Sequence, residues 1–203
     1  MKLPIFQLNI DEFDDETGMF LISMVDRPAM QVAAVKLAEE ATLVTLKATN
    51  ADKQYLTSAV IIPGKLILRS DAQRGDYYIQ FTVEDVEKIR NKFFQRTGNL
   101  SLSNKNHVET DTVQAQLIES WIIEDPKMDK ATALGFNLPK GTMMATYKVL
   151  DAKFWTEEVL TNNVTGFSLE GCFTETPVKL TETPSVLDEL LAILDEIEGT
   201  DHA

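Results

Sequence analysis

The sequence predicts a strand-rich α+β domain followed by a helical tail. Three observations carry this. Short β-branched and aromatic runs recur between Pro and Gly breaks, a single segment at 83–96 has a sustained helical period, and a leucine-spaced acidic segment follows two Thr-Pro pairs. The domain is expected to span 1–180, with 181–203 forming an acidic linker and an amphipathic helix.

Met19 to Val25 is an apolar run after the turn-like Asp15-Glu16-Thr17-Gly18, and Pro28 ends it; it reads as a buried strand. Residues 30–57 mix Ala, Val, Leu, Lys and Thr and give only a weak strand and a connector. Ala59-Val60-Ile61-Ile62 stops at Pro63-Gly64, Leu66-Ile67-Leu68 resumes, and Tyr77 to Phe81 has strand composition. Thr82 then reads as an N-cap with Glu84 and Asp85 in the first turn. Val83, Val86, Ile89, Phe93 and Phe94 keep helical spacing, basic residues come late, and Gly98 follows the end.

Polar residues 99–112 form a loop or short edge strand. In the strand from Val113 to Ile123, Val113, Ala115, Leu117, Glu119 and Trp121 alternate onto one face. Residues 126–142 form a long connection, of the kind that often has a function. Met143–Val149 is a strand, Ala152–Leu160 a short helix, and Thr165–Phe173 a strand framed by glycines. Beyond Thr176-Pro177 and Thr183-Pro184, Leu187, Leu190, Leu191, Leu194 and Ile197 share a helix face that suits docking to a partner or to a second copy, or packing on its own domain. No internal repeat is found.

The chain has 203 residues and a net charge of −13, which disfavours a nucleic-acid backbone or an anionic membrane as partner. No apolar run approaches the roughly 20 residues of a membrane span, and no secretory signal is read at the N-terminus. The one cysteine, Cys172, excludes an intrachain disulfide and reads as a small buried hydrophobe. No zinc cluster, phosphate loop or calcium loop is present, so no cofactor is implied.

Only two histidines occur, and His202 sits in the terminal Asp-His-Ala, so any histidine-dependent chemistry falls to His107. Ser168 lies between Gly166 and Gly171, which allow close approach of a carbonyl substrate; a serine needs a neighbouring base to act as nucleophile. A carboxylate could hold the imidazole. Glu119 is the first candidate because its strand face would bury it, Glu170 the second as a neighbour of Ser168 on the same strand, and Glu109 the third.

An ordered set of segments resembles the XkdF-like phage serine proteases. It comprises Ile61-Ile62-Pro63, Asp76 to Phe81, Asn106-His107, Glu119 to Pro126, Ala133 to Phe136, Leu138 to Thr142 and Gly166-Phe167-Ser168-Leu169-Glu170-Gly171. The wider group is the prohead proteases, similar in fold to the herpesvirus assembly protease. The resemblance implies a small β-barrel with surrounding helices, a Ser168/His107 pair on neighbouring strands, and a serine endopeptidase that trims scaffold and major capsid protein inside the assembling procapsid in the host cytoplasm, often cleaving itself as well. Ile22 to Ala29 also resembles the Glu-x-Ser-x-Val-x-x-Pro-Ala segment of these proteases, with Leu21 where glutamate is common. There it follows the catalytic serine, whereas here it precedes everything, as in a circular permutation. The loop 126–142, with Gly135 and Gly141, is the candidate source of oxyanion donors. The alternatives are a non-enzymatic capsid-assembly or scaffold protein on the same fold, and a protease unrelated to capsids.

Overall fold

The computed structural model describes residues 3–29, 47–50, 53–96 and 102–178. The expected tail helix lies outside the described residues, as do residues 30–46. The strands are β1 (Ile5–Asn9), β2 (Gly18–Val25), β3 (Lys47–Asn50), β4 (Tyr55–Ile61), β5 (Ile67–Asp71), β6 (Gly75–Gln80), β7 (Leu102–Asn104), β8 (Thr112–Ile122), β9 (Met143–Val149), β10 (Gly166–Cys172) and β11 (Thr174–Pro177). The helices are α1 (Val83–Arg96), α2 (Lys130–Ala133) and α3 (Ala152–Phe154).

Strands run β3-β4-β9-β8-β7 in one antiparallel sheet, and β2 pairs antiparallel with β10. A parallel bridge from Met24 to Lys105 joins the β2–β10 pair to β7, and β10 packs beside β4, so the whole curls into a half-barrel. The strand-rich α+β, barrel-like class expected from sequence is therefore seen. Its interior is filled by alternate residues: Tyr147 of β9 meets Phe167 of β10 edge-on at 5.3 Å, with Ile22 and Met24 fully buried. Each such side chain contributes about 1.5–3 kcal/mol on burial. A second sheet, β11-β1-β6-β5, has β1 parallel to β6 and antiparallel to β11.

α1 forms where the sequence places it. Thr82 accepts from the Asp85 backbone N–H at 3.1 Å, and Val86, Ile89 and Phe93 are buried. The helix packs on β2 and carries the buried Lys92, whose ammonium donates to the carbonyls of Asp11 and Asp14 and so fastens the acidic loop before β2. Among the described residues, no helix is long and apolar enough to cross a membrane.

Four local readings are corrected. A bulge between Leu117 and Glu119 inserts Ile118, so Leu117 pairs with buried Tyr147 but Glu119 pairs with Thr146 and turns to the outer face. Residues 152–160 are one α turn followed by a π turn, Trp155–Val159, closed by the Leu160 N–H on the Trp155 carbonyl at 3.0 Å. Thr176-Pro177, expected to open a linker, instead ends β11 on the edge of the second sheet, where a missing N–H is tolerated. Cys172 is exposed, because β10 bulges between Glu170 and Gly171 and leaves the core before it.

Candidate active site

Three strands and one turn bring the polar groups together. β2 and β10 pair with Ser23 opposite Ser168 and Leu21 opposite Glu170. Strand alternation puts Ser23, Ser168 and Glu170 on one face, while Ile22, Met24 and Phe167 point into the core. β7 adds Asn104 beside this face, tied to β2 by the Ser103 hydroxyl on the Ile22 carbonyl at 2.8 Å.

His107 is delivered by a strained turn. The Val108 N–H closes on the Lys105 carbonyl at 3.1 Å, and both central residues are left-handed, with φ of 52° at Asn106 and 61° at His107. Such a turn ordinarily takes Asn-Gly; a histidine in the second place costs about 1–2 kcal/mol. Asn106 secures the turn, donating from its N–H to the Met24 carbonyl at 3.1 Å and accepting from the Asp26 N–H at 3.0 Å. Backbone strain held by such contacts is typical of a side chain placed for use.

The centre of the cluster is Glu170 Oε1. It lies 3.0 Å from His107 Nδ1 and accepts from Asn104 Nδ2 at 2.8 Å and from the Ser23 hydroxyl. Burial of the carboxyl works to raise its pKa, but hydrogen bonds from Ser23, Asn104 and His107, together with the charge of the imidazole, outweigh it and hold Glu170 below the usual glutamate value. An ionised Glu170 selects the Nδ1–H tautomer, since the other would set a nitrogen lone pair against the carboxylate. Ser23 Oγ lies 3.2 Å from the same nitrogen. The basic nitrogen of the neutral ring is then Nε2, on a side chain 42% exposed.

Accessibility separates the two serines. Ser23 is fully buried, and its hydroxyl is committed to Glu170. Ser168 is half-buried, and among the described residues its hydroxyl makes no hydrogen bond. Asn104 is also buried, and among the described residues its Oδ1 has no hydrogen-bond partner.

Of the residues singled out in the sequence, Glu170 meets His107 and Ser168 lies on the same face. Glu119 does not join them: turned outward by the bulge, it pairs with Lys130 and meets the Thr146 hydroxyl at 3.4 Å. Glu109 is exposed. Ser23 and Asn104 were missed as site residues. Ser23 sits in the Ile22–Ala29 segment, and Glu170 is the cross-strand partner of Leu21. Glu170 thus stands on the adjacent strand at the level of Leu21. Among the described residues, no group of three His, Cys, Asp or Glu side chains is placed to hold a metal ion. No family model, no curated protein and no solved structure matches the chain.

Proposed function

We propose that the chain is a serine endopeptidase with Ser168 as nucleophile, His107 as base and Glu170 as the residue that orients the base, and that it trims scaffold and capsid-protein extensions in an assembling phage prohead. The observation that carries the chemistry is the engagement of His107 Nδ1 by Glu170, which leaves Nε2 as the basic nitrogen. Ser23 is the wrong hydroxyl for attack, because it is fully buried and lies on the Nδ1 side. Ser168, its cross-strand neighbour, is the accessible one.

In this mechanism Nε2 takes the Ser168 proton as Oγ attacks the peptide carbonyl. The imidazolium, opposite the Glu170 carboxylate, then passes the proton to the leaving amine, and water hydrolyses the acyl-enzyme by the same route in reverse. The mechanism requires Ser168 Oγ to come within hydrogen-bond reach of Nε2 in the substrate complex; catalytic hydrogen bonds often tighten only there. The capsid assignment rests on the sequence resemblance. It is supported by the adjacency of β2 and β10 and by the pairing of β1 with β11, which brings the two ends of the domain together as a permuted barrel requires.

The resting Ser168 hydroxyl, without a bond to the imidazole, favours a second reading: a capsid-assembly protein that keeps the fold without the chemistry. Co-expression with the major capsid protein and scaffold of the same phage separates the two. The wild-type chain shortens one or both on a denaturing gel, and Ser168→Ala leaves them intact. Equal shortening by the variant overturns the Ser168 assignment, and no shortening by either supports the non-enzymatic reading.

A further inference from the structure

The strained turn that carries His107 begins at Lys105, whose ammonium pairs with Glu158 Oε1 at 2.7 Å. Both side chains are half-buried. Glu158 lies in the π turn Trp155–Val159, which is anchored by the buried Trp155 and Val159. Its carbonyl accepts from the N–H groups of Asn163 and Val164 at 2.9 and 3.1 Å, so its backbone is fixed as well. Among the described residues its Oε2 is buried without a hydrogen-bond partner. A carboxylate oxygen left in this state costs stability, which calls for a reason. π turns are themselves frequent at functional sites. The same segment meets the site a second way. Thr165 donates from its N–H to the Val25 carbonyl at 2.9 Å and from its hydroxyl to the Asp26 carbonyl at 2.6 Å, and the Asp26 N–H donates to Asn106 of the turn. Thr165 then leads directly into β10, which holds Ser168 and Glu170.

We infer that Glu158 is a positioning residue: through Lys105 it fixes the His107 turn relative to β10, so that Nδ1 stays within reach of the Glu170 carboxylate. Its consequence for catalysis rests on the peptidase reading; its effect on the imidazole does not. Residues 155–165 bond at one end to the turn of the base and continue at the other into the strand of the nucleophile and the acid, so they set the spacing between the two. The margin is small. His107 Nδ1 lies 3.0 Å from Glu170 Oε1, and a swing of about 1 Å takes the pair beyond hydrogen-bond distance. With φ positive at both Asn106 and His107, the turn leaves this shape readily once a tether is cut.

The test reads the imidazole and the serine separately, in the full chain carrying His202→Gln so that one histidine remains. At about pH 9, where an ordinary imidazole is neutral, nitrogen–proton NMR correlation spectra report which ring nitrogen holds the proton. With Glu158 in place the ring is expected as the Nδ1–H form. Glu158→Gln removes the charge and keeps the shape; it is expected to move the ring toward the Nε2–H form that a free histidine favours, and to slow fluorophosphonate labelling of Ser168 at least about tenfold. Exchanging the pair, Lys105→Glu with Glu158→Lys, is expected to recover both. If Glu158→Gln fails to fold by circular dichroism, Glu158→Asp, one methylene too short for the contact, takes its place. An unchanged tautomer in a folded variant, whatever its melting temperature, overturns the inference and leaves the pair a purely structural one. A changed tautomer with no labelling even when Glu158 is present keeps the positioning role and discards the peptidase. Labelling at full rate in the variant, with the tautomer unchanged, does the reverse.

Discussion

Replacing Glu170 by Gln separates charge from shape. The amide keeps the size of the side chain and one acceptor oxygen, but three donors that met a carboxylate, from Ser23, Asn104 and His107, then meet a neutral group. Hydrogen bonds to a charged acceptor contribute about 1.5–3 kcal/mol each and neutral ones about 1. The three share one oxygen at a partly solvated site, so the combined loss is expected near 1–3 kcal/mol. For a chain of this size that is a fall of about 2–10 °C in Tm. The catalytic effect is larger: Gln no longer fixes the Nδ1–H tautomer or stabilises the imidazolium, and kcat is expected to fall by about 10²–10⁴. Because the folded-state pKa of Glu170 is depressed, its ionic contribution is fully present above the ordinary glutamate value of 4.5 and is lost as pH falls through the lower folded value. The gap in Tm between wild type and Glu170→Gln is therefore wide at pH 7 and narrows below pH 4.5. Thermal unfolding at several pH values, with peptide hydrolysis at pH 7, reads both effects. A variant with wild-type turnover, or a Tm gap that does not change with pH, would refute the reasoning.

Three further outcomes are expected. His107→Gly and His107→Ala both lose the hydrogen bond to Glu170 and both abolish hydrolysis, but only glycine relieves the left-handed strain at φ 61°, so the Gly variant is expected to be about 1 kcal/mol more stable than the Ala variant; equal stability of the two, or a less stable Gly variant, in thermal melts argues against the strained-turn account. Ser23→Ala removes a buried donor to Glu170 and lowers stability by about 1–2 kcal/mol in urea titration, while turnover persists at a reduced rate; complete loss of turnover in a folded protein would point to Ser23 as the nucleophile. Glu119→Ala breaks an exposed pair with Lys130 and a long contact from the Thr146 hydroxyl, which keeps its bond with Thr57, so both Tm and turnover stay close to wild type, within about 0.5 kcal/mol in stability; a large drop in turnover returns Glu119 to the site.

What the sequence conveyed well were elements whose signal is local. The helix at 83–96 has a cap, a charge gradient and a period, and all three agree in the fold. Strands at 19–25, 143–149 and 165–173 are apolar enough to announce themselves. β1 and β11 were missed because Ile5–Asn9 and Thr174–Pro177 are short, mixed and stable only against each other and β6. The site was half legible. His107 stood out by scarcity and Ser168 by its flanking glycines, but choosing the acid required knowing the register. One inserted residue at Ile118 turns Glu119 outward, and a bulge is invisible to a period-two pattern. Ser23 read as one polar residue within an apolar strand; its role arises from the pairing that sets it opposite Ser168 and diagonal to Glu170.

The claim that an accessible Ser168 is activated by His107 is tested most directly by covalent labelling. Incubation of the intact chain with a fluorophosphonate, followed by peptide mass spectrometry, should place the phosphonyl group on Ser168, with labelling lost in His107→Ala. Modification of Ser23, or labelling of Ser168 unchanged when His107 is removed, would contradict it.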